Sequence, residues 1–409
     1  MTTELRVLRD AEFDTWYANL ELAFGGVPEP PEEVALWREL TGFDRSIGVW
    51  DGAEAVGTTG AFAFRITVPG GEQVPAAGVT MVSVRPTHRR RGLLRRMMRR
   101  QLDDVRAWGE PLAVLTASEP DIYGRFGYGI ATHSMSVRID TARVRLSVPA
   151  GTDGVRLRLS KPGEARDACE AVYARRVAAR PGMLARQPGW EGLPLLDPAD
   201  TREGASPLQC VLAEEDGRTV GYARYAVRPD WAAAGANGTV LLRDAEALTP
   251  AAYAALWRYL TEIDLTACVT AHNRPVDDPL LHLVGDVRRC EARVKDSLHV
   301  RLVDVGAALA ARTYRGAVDV VLEVADDFCP WNAGRWRLTG DRKGASCERT
   351  EDAADLALSV RELGSAYLGG VSLAALAGAG RVRELREGAL EEAATAFGSD
   401  VAPWLPHGF

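Results

Sequence analysis

Lysine is nearly missing from this sequence: Lys161, Lys295 and Lys343 are the only three among 49 basic residues, so arginine carries almost all of the positive charge. Arginine clusters arise by chance more readily in such a chain, and an arginine run alone proves little. Cysteine is sparse as well. The six thiols (Cys169, Cys210, Cys268, Cys290, Cys329 and Cys347) lie too far apart for a zinc cluster or a CxxC redox pair, which leaves ordinary reduced thiols. None of the six histidines stands in HExxH spacing, so no metal is expected. No stretch approaches the roughly 18 uninterrupted apolar residues that span a bilayer. Residues 1–10 mix charged with apolar side chains and form no signal core. A soluble, cytoplasmic protein with no membrane partner is the expectation. The net charge of -7 argues against a nucleic-acid partner, because neutralising phosphates needs a positive field, although a local basic patch could still hold one anionic ligand.

What is present is a chain of 409 residues with 46% hydrophobic content, enough to bury more than one core. At roughly 150 residues per domain it reads as two or three domains. Residues 1–150 alternate helix and strand. Helical spacing runs over 13–24, the cluster Pro28, Pro30, Pro31 breaks it, and a second helix covers 32–40. Strands follow at 46–50, 55–68 and 77–84, with turns at Asp51-Gly52 and Pro69-Gly70-Gly71. A helix over 93–108 places Leu93, Leu94, Met97, Met98, Leu102, Val105 and Trp108 on one face, and a strand at 112–116 comes next.

A second block repeats this order: a hairpin around Asp216-Gly217, a strand at 239–243, a helix at 250–260 and a strand at 267–271. Where the first block has arginines and a glycine, the second has Thr249-Pro250-Ala251-Ala252, so a duplicated copy would have lost its ligand-binding turn. The third block is α+β: a strand at 297–302, a helix at 305–312, a strand at 318–324 and a turn through Cys329-Pro330-Trp331-Asn332. No low-complexity linker separates the blocks.

The segment Val82-Ser83-Val84-Arg85-Pro86-Thr87-His88-Arg89-Arg90-Arg91-Gly92-Leu93-Leu94 has a strand before it and a helix after it. A helix start presents unpaired N–H groups and partial positive charge, and a glycine-bearing turn lets the backbone close around a phosphate. Three arginines at a helix start oppose the dipole, which favours acids there, and so call for an anionic partner. A pyrophosphate suits the turn. The Walker loop and the dinucleotide fingerprint are both excluded, since neither GxxxxGK[ST] nor GxGxxG occurs between this strand and helix. The other informative segment, Ser118-Glu119-Pro120-Asp121-Ile122-Tyr123-Gly124-Arg125-Phe126-Gly127-Tyr128-Gly129, is as bare sequence equally a packed turn with aromatic anchors or part of a site.

The run Arg89-Arg90-Arg91-Gly92-Leu93 resembles the Q/R-x-x-G-x-G/A signature of the GNAT acyltransferases, and IYGRFGYG is similar to the enhanced intracellular survival (Eis) branch of that family. The likeness extends over essentially the whole chain, including Pro330-Trp331-Asn332, Tyr367-Leu368-Gly369-Gly370 and an aromatic last residue. It implies tandem GNAT folds, the first active (1–150) and the second degenerate (151–292), followed by a sterol-carrier-like α+β domain (293–409) and assembly as a homo-hexamer. The resemblance further implies that acetyl-CoA is held by Val82, Ser83, Val84, Arg89, Arg90, Arg91, Gly92, Leu93, Leu94 and Ser118. Phe24, Trp37 and Met81 would line the acceptor pocket. Tyr123 would be the general acid that protonates the departing thiolate, and the α-carboxylate of Phe409 the base. Gly26 and Gly408 depart from the acid-lined pocket of members that acetylate multiply charged amines. The expected activity is acetyl transfer to a primary amine of a small molecule. Acetylation of protein lysines or amino acids, and acyl-CoA or lipid binding without catalysis, remain as alternatives.

Overall fold

Small and β-branched residues predominate at positions 54–67 and 73–84, and the two stretches pair as a long antiparallel hairpin. The computed structural model describes residues 3–409, and the chain divides into two compact units. One holds the residues up to Thr132 together with Asp296–Pro403 and Gly408–Phe409. The other holds His133–Lys295 and Trp404–His407.

The first unit is built on a seven-stranded sheet. Its strands are β1 (Glu4–Val7), β2 (Ile47–Asp51), β3 (Glu54–Thr67), β4 (Gln73–Val84), β5 (Leu112–Thr116) and β6 (Gly129–Ile130), and the strand Leu298–Leu302 lies between β5 and β6. Only β4 and β5 run parallel, joined by the crossover helix α3 (Leu93–Ala107), while α1 (Phe13–Ala23) and α2 (Pro31–Leu40) precede β2. The strand read from sequence as the opening of the third block thus completes the first sheet, pairing Val300 with Val114 on one side and with Gly129 on the other.

On α3 the apolar stripe is buried as its spacing predicts, through Leu93, Met97, Met98, Leu102 and Val105. Trp108 is a correction. It lies just past the helix end and is 37% exposed, with the Arg45 guanidinium 3.8 Å from its ring centroid. The helix stops at Ala107 and Gly109 takes φ +74, so the chain turns before the indole can join the stripe.

The same unit contains a five-stranded sheet in the order Gly344–Arg349, Gly334–Asp341, Val318–Ala325, Leu356–Ser359, Val382–Glu384. Helices Val305–Ala310, Val360–Ala366, Leu373–Gly378 and Ala389–Phe397 accompany it. Arg312 is wholly buried beside it, donating to the carbonyls of Phe397 (2.9 Å), Thr313 (3.1 Å) and Tyr367.

The second unit repeats the plan of the first sheet. Strand Gly238–Ala247 runs parallel to Thr266–Arg274, with helix Pro250–Thr261 between them. Here the helix start is closed: the Thr249 hydroxyl accepts from the Ala252 N–H at 3.1 Å, and Pro250 at the first position has no N–H to offer. Trp404 and Leu405 are buried in this unit, the indole donating to the Asn273 carbonyl at 3.1 Å and the Leu405 carbonyl accepting from the Asn273 side chain at 3.0 Å.

Candidate active site

Strands β4 and β5 pair only from Ala76↔Leu112 to Gly78↔Val114, although β4 continues to Val84. Beyond Gly78 the two diverge, and a slot opens between parallel strands. The divergence has a local cause in β4. Its register against β3 jumps between Thr58 and Gly60, leaving Met81 and Val82 outside the pairing, and Met81 takes φ +52, a region costly for a side chain larger than glycine.

A buried relay holds that bulge. The Asn19 amide donates to Ser83 Oγ at 3.0 Å, the Ser83 hydroxyl lies 2.7 Å from Thr58 Oγ1, and the Thr58 hydroxyl donates to the Met81 carbonyl at 2.6 Å. Ser83 therefore spends its side chain on the core. Asn19 and Thr58 were missed by sequence reasoning, because a polar residue inside an apolar helix face or strand carries no local sign of its partner.

The slot opens into a cleft of about 1060 Å³. One end is the turn after β4. Pro86–His88 forms a single 3-10 turn, Arg90 has φ +62, and Gly92 caps α3 at φ +78 with open space where a Cβ would stand. His88, Arg89, Arg90, Gly92, Leu93, Leu94 and Arg95 line the cleft. Neither Arg89 nor Arg90 forms an ion pair among the described residues. Arg91 is not among the residues that line the cleft, whereas Arg95, on the first turn of α3, is. His88, also missed, sits 3.3 Å from Asp51 Oδ2.

Val82, Val84 and Ser118 line the middle of the cleft with Tyr123, which stands in the 3-10 segment Pro120–Phe126. Burial, reinforced by the Glu119 carboxylate, pushes the Tyr123 phenol up to about 12, so it stays protonated and able to donate. Tyr128 meets it edge-on at 6.0 Å but is fully buried, and its hydroxyl finds no partner among the described residues.

The other end combines aromatic and acidic side chains. Phe24, Trp37 and Met81 line the cleft together with Phe409, whose ring packs edge-on against Phe64 at 4.9 Å and Phe62 at 6.5 Å. Tyr17, Glu21, Glu29 and Glu33 join them. The Tyr17 hydroxyl donates to Glu29, and the Glu29 N–H donates to Glu21 Oε1 at 2.9 Å. Burial holds the Glu29 carboxyl above the usual range, a shift that the Tyr17 hydrogen bond partly offsets. Gly26 and Gly408 bring no acid, but the three glutamates do. Glu29 and Glu33 escape a sequence reading because acids there look like ordinary helix-start residues, and Glu21 because it looks like a solvated position near the end of α1.

Among the described residues no group of three or more His, Cys, Asp or Glu is placed to hold a metal ion, and no helix is long and apolar enough to cross a membrane. The cleft lining combines a helix start and guanidinium groups able to hold an anion, the gap between diverging strands, a phenolic donor and three carboxylates.

Comparison with known proteins agrees with this geometry. The acetyltransferase (GNAT) domain matches residues 4–131, a second acetyltransferase (GNAT) domain matches 182–302, and the sterol carrier protein domain matches 305–406. An uncharacterised N-acetyltransferase of Streptomyces coelicolor is 70% identical over the full length of both chains. N-acetyltransferase Eis of Mycobacterium tuberculosis is 38% identical over 91% of each chain. Among solved structures, Eis1 from Mycobacterium abscessus superposes over the whole of both chains with a TM-score of 0.84 at 34% identity. The fold is therefore two GNAT-type domains followed by a sterol-carrier-like domain, as the sequence implied, and the protein is an acetyltransferase. The chain belongs to the Eis family of GNAT N-acetyltransferases.

Proposed function

We propose that the protein transfers the acetyl group of acetyl-CoA to a primary amine of a small molecule by direct attack on the thioester. The observation that carries this reading is the placement of Tyr123, Phe409 and the bulge at Met81 around one cleft whose far end is the arginine turn. The pyrophosphate would lie against the first N–H groups of α3 and the side chains of Arg89 and Arg90, with the thioester in the slot beside Val82. A neutral amine is required for attack, and amines near pKa 10 are mostly protonated at neutral pH, so a base must take a proton. The α-carboxylate of Phe409 is our candidate, acting directly or through one water. The Val82 N–H would stabilise the developing oxyanion, and Tyr123 would donate its proton to the leaving sulfur. No acyl-enzyme is needed, since all six cysteines are buried outside the cleft lining. Glu21, Glu29 and Glu33 favour an acceptor that arrives as a cation.

In domain terms, residues 1–150 hold the donor, 151–292 form the degenerate copy, and 293–409 supply Phe409. We place the enzyme in the cytoplasm as a homo-hexamer, a state that light scattering reads directly. The central test is Tyr123→Phe, which removes the proton donor and keeps the ring against Tyr128. Acetyl-CoA affinity by calorimetry should persist while thiol release falls by about 10²-fold or more. Normal turnover would reduce Tyr123 to a packing residue. Failure of the wild-type protein to release thiol with any small amine, but release with a lysine peptide, would replace the acceptor class.

A further inference from the structure

Three glycines punctuate the segment that carries Tyr123, and each is small because of residues far along the chain. At Gly124 a Cβ would stand 2.7 Å from Cζ of Arg361. At Gly127, where φ is +86, it would stand 2.7 Å from Nη1 of Arg301. At Gly129 it would fall 2.0 Å from the Arg361 carbonyl oxygen. The turn bearing Tyr123 is therefore held between two guanidinium groups, one against the glycine that follows the tyrosine and one against the glycine that ends the turn.

Arg301 is held through its side chain, and Arg361 through the helix that carries it. Arg301, on the strand Leu298–Leu302, is fully buried and donates through Nη2 to Asp326 Oδ2 at 2.6 Å. Asp326 accepts in turn from the Cys329 N–H at 2.9 Å and from Asn332 Nδ2 at 3.1 Å. Arg361 sits in the helix Val360–Ala366, which lies so close to the same strand that a Cβ on Gly364 would stand 2.3 Å from the Val300 carbonyl oxygen. Phe328, from the loop after Asp326, meets Phe126 edge-on at 5.0 Å.

Neither arginine lines the cleft, so neither touches substrate. Their contact is with the backbone on the C-terminal side of Tyr123, where a flat guanidinium can lie against a peptide plane in a way that an ammonium cannot. Proton donation depends on geometry to within a fraction of an ångström, and a bearing residue on a short 3-10 turn has little stiffness of its own.

We propose that Arg301 and Arg361 are positioning residues that clasp the turn and fix the direction in which the Tyr123 hydroxyl faces the slot. The proposal rests on Tyr123 acting as the acid. It gives the sterol-carrier-like domain, through Arg361 and Asp326, a share in catalysis separate from that of Phe409.

The test uses the full-length chain and a double-mutant cycle. Arg361→Ala and Arg301→Lys are each made in the wild type and in Tyr123→Phe, and thiol release is followed with acetyl-CoA and an accepted amine. Each should lower kcat about tenfold or more in the wild type, leave KM for acetyl-CoA within about twofold, and cost little further in Tyr123→Phe, because the group they position is gone. Equal fold-losses in both backgrounds would overturn the clasp, as would a loss confined to KM or an unchanged kcat in Arg361→Ala. Arg361 is partly exposed and its variant decides the matter even if Arg301→Lys does not fold. Full turnover by Tyr123→Phe alone would sink the reading of the acid and the clasp with it, whereas additive losses would sink only the clasp.

Discussion

Phe409 offers two things to the cleft, a ring and a terminal carboxylate, and they can be separated. Adding one glycine after Phe409 leaves the ring against Phe64 but moves the carboxylate by up to about 3.5 Å. A general base tolerates much less displacement than that. The expected outcome is a steep fall in kcat with acetyl-CoA affinity unchanged; full activity of the extended chain would remove Phe409 from the mechanism and leave the rest of the cleft in place. The phenol of Tyr123 sets a second expectation. Its folded-state pKa lies above the ordinary 10.0, at about 12, so its preference for the protonated form stabilises the fold fully below pH 10 and is lost as pH rises through 12. Tyr123 should then contribute no alkaline limb to the kcat profile below roughly pH 11, and any limb at lower pH belongs to another group. Of these residues, Tyr123 was legible because its segment resembles a known family. Glu29 was not: what makes it part of the site is the hydroxyl of Tyr17, brought to it by the loop between α1 and α2, and no local pattern encodes that meeting.

At the scale of elements, the strand, turn and helix around residues 82–94 are the part of the molecule that the sequence described best. Strand and helix periodicities differ, and the glycine between them marks the change. The turn also yields a direct measurement. Replacing Arg89 and Arg90 together by alanine should weaken acetyl-CoA binding by several kcal/mol, since about 1.5–3 kcal/mol attends each hydrogen bond to a charged group. Acceptor binding should barely change. Undiminished acetyl-CoA affinity in the folded double variant, read by calorimetry, would dismiss the pyrophosphate assignment. Other features of the same elements could not be read in advance. The bulge at Met81 arises from a one-residue register jump, and its support comes from Asn19 and Thr58 on two different elements. Trp108 looked like the last apolar position of α3, but the stripe ends when the helix does.

At the scale of the whole chain, the sheet that carries the cleft is not encoded by one continuous stretch. Without the strand Leu298–Leu302, β5 would present an unpaired apolar edge and β6 would lose its partner. A chain stopped at residue 292 should therefore aggregate or melt without cooperativity, despite containing all of the residues that line the cleft except Phe409. A soluble fragment with a sharp calorimetric transition would contradict this. The sequence showed a strand at this place but assigned it to the block that follows, because order along the chain gives no account of which edge a strand will fill.

That late strand also sets a timetable. Val114 emerges from the ribosome long before the Val300 it must pair with. At roughly 5–20 residues per second the nascent sheet waits on the order of ten to forty seconds for its missing member. During that interval the apolar side of β5 is open to any neighbouring chain, including another copy of itself on the same messenger. The yield of active enzyme in a cell should accordingly depend on translation speed and chaperone supply through residues 117–297, a stretch that contributes only a small part of the cleft wall.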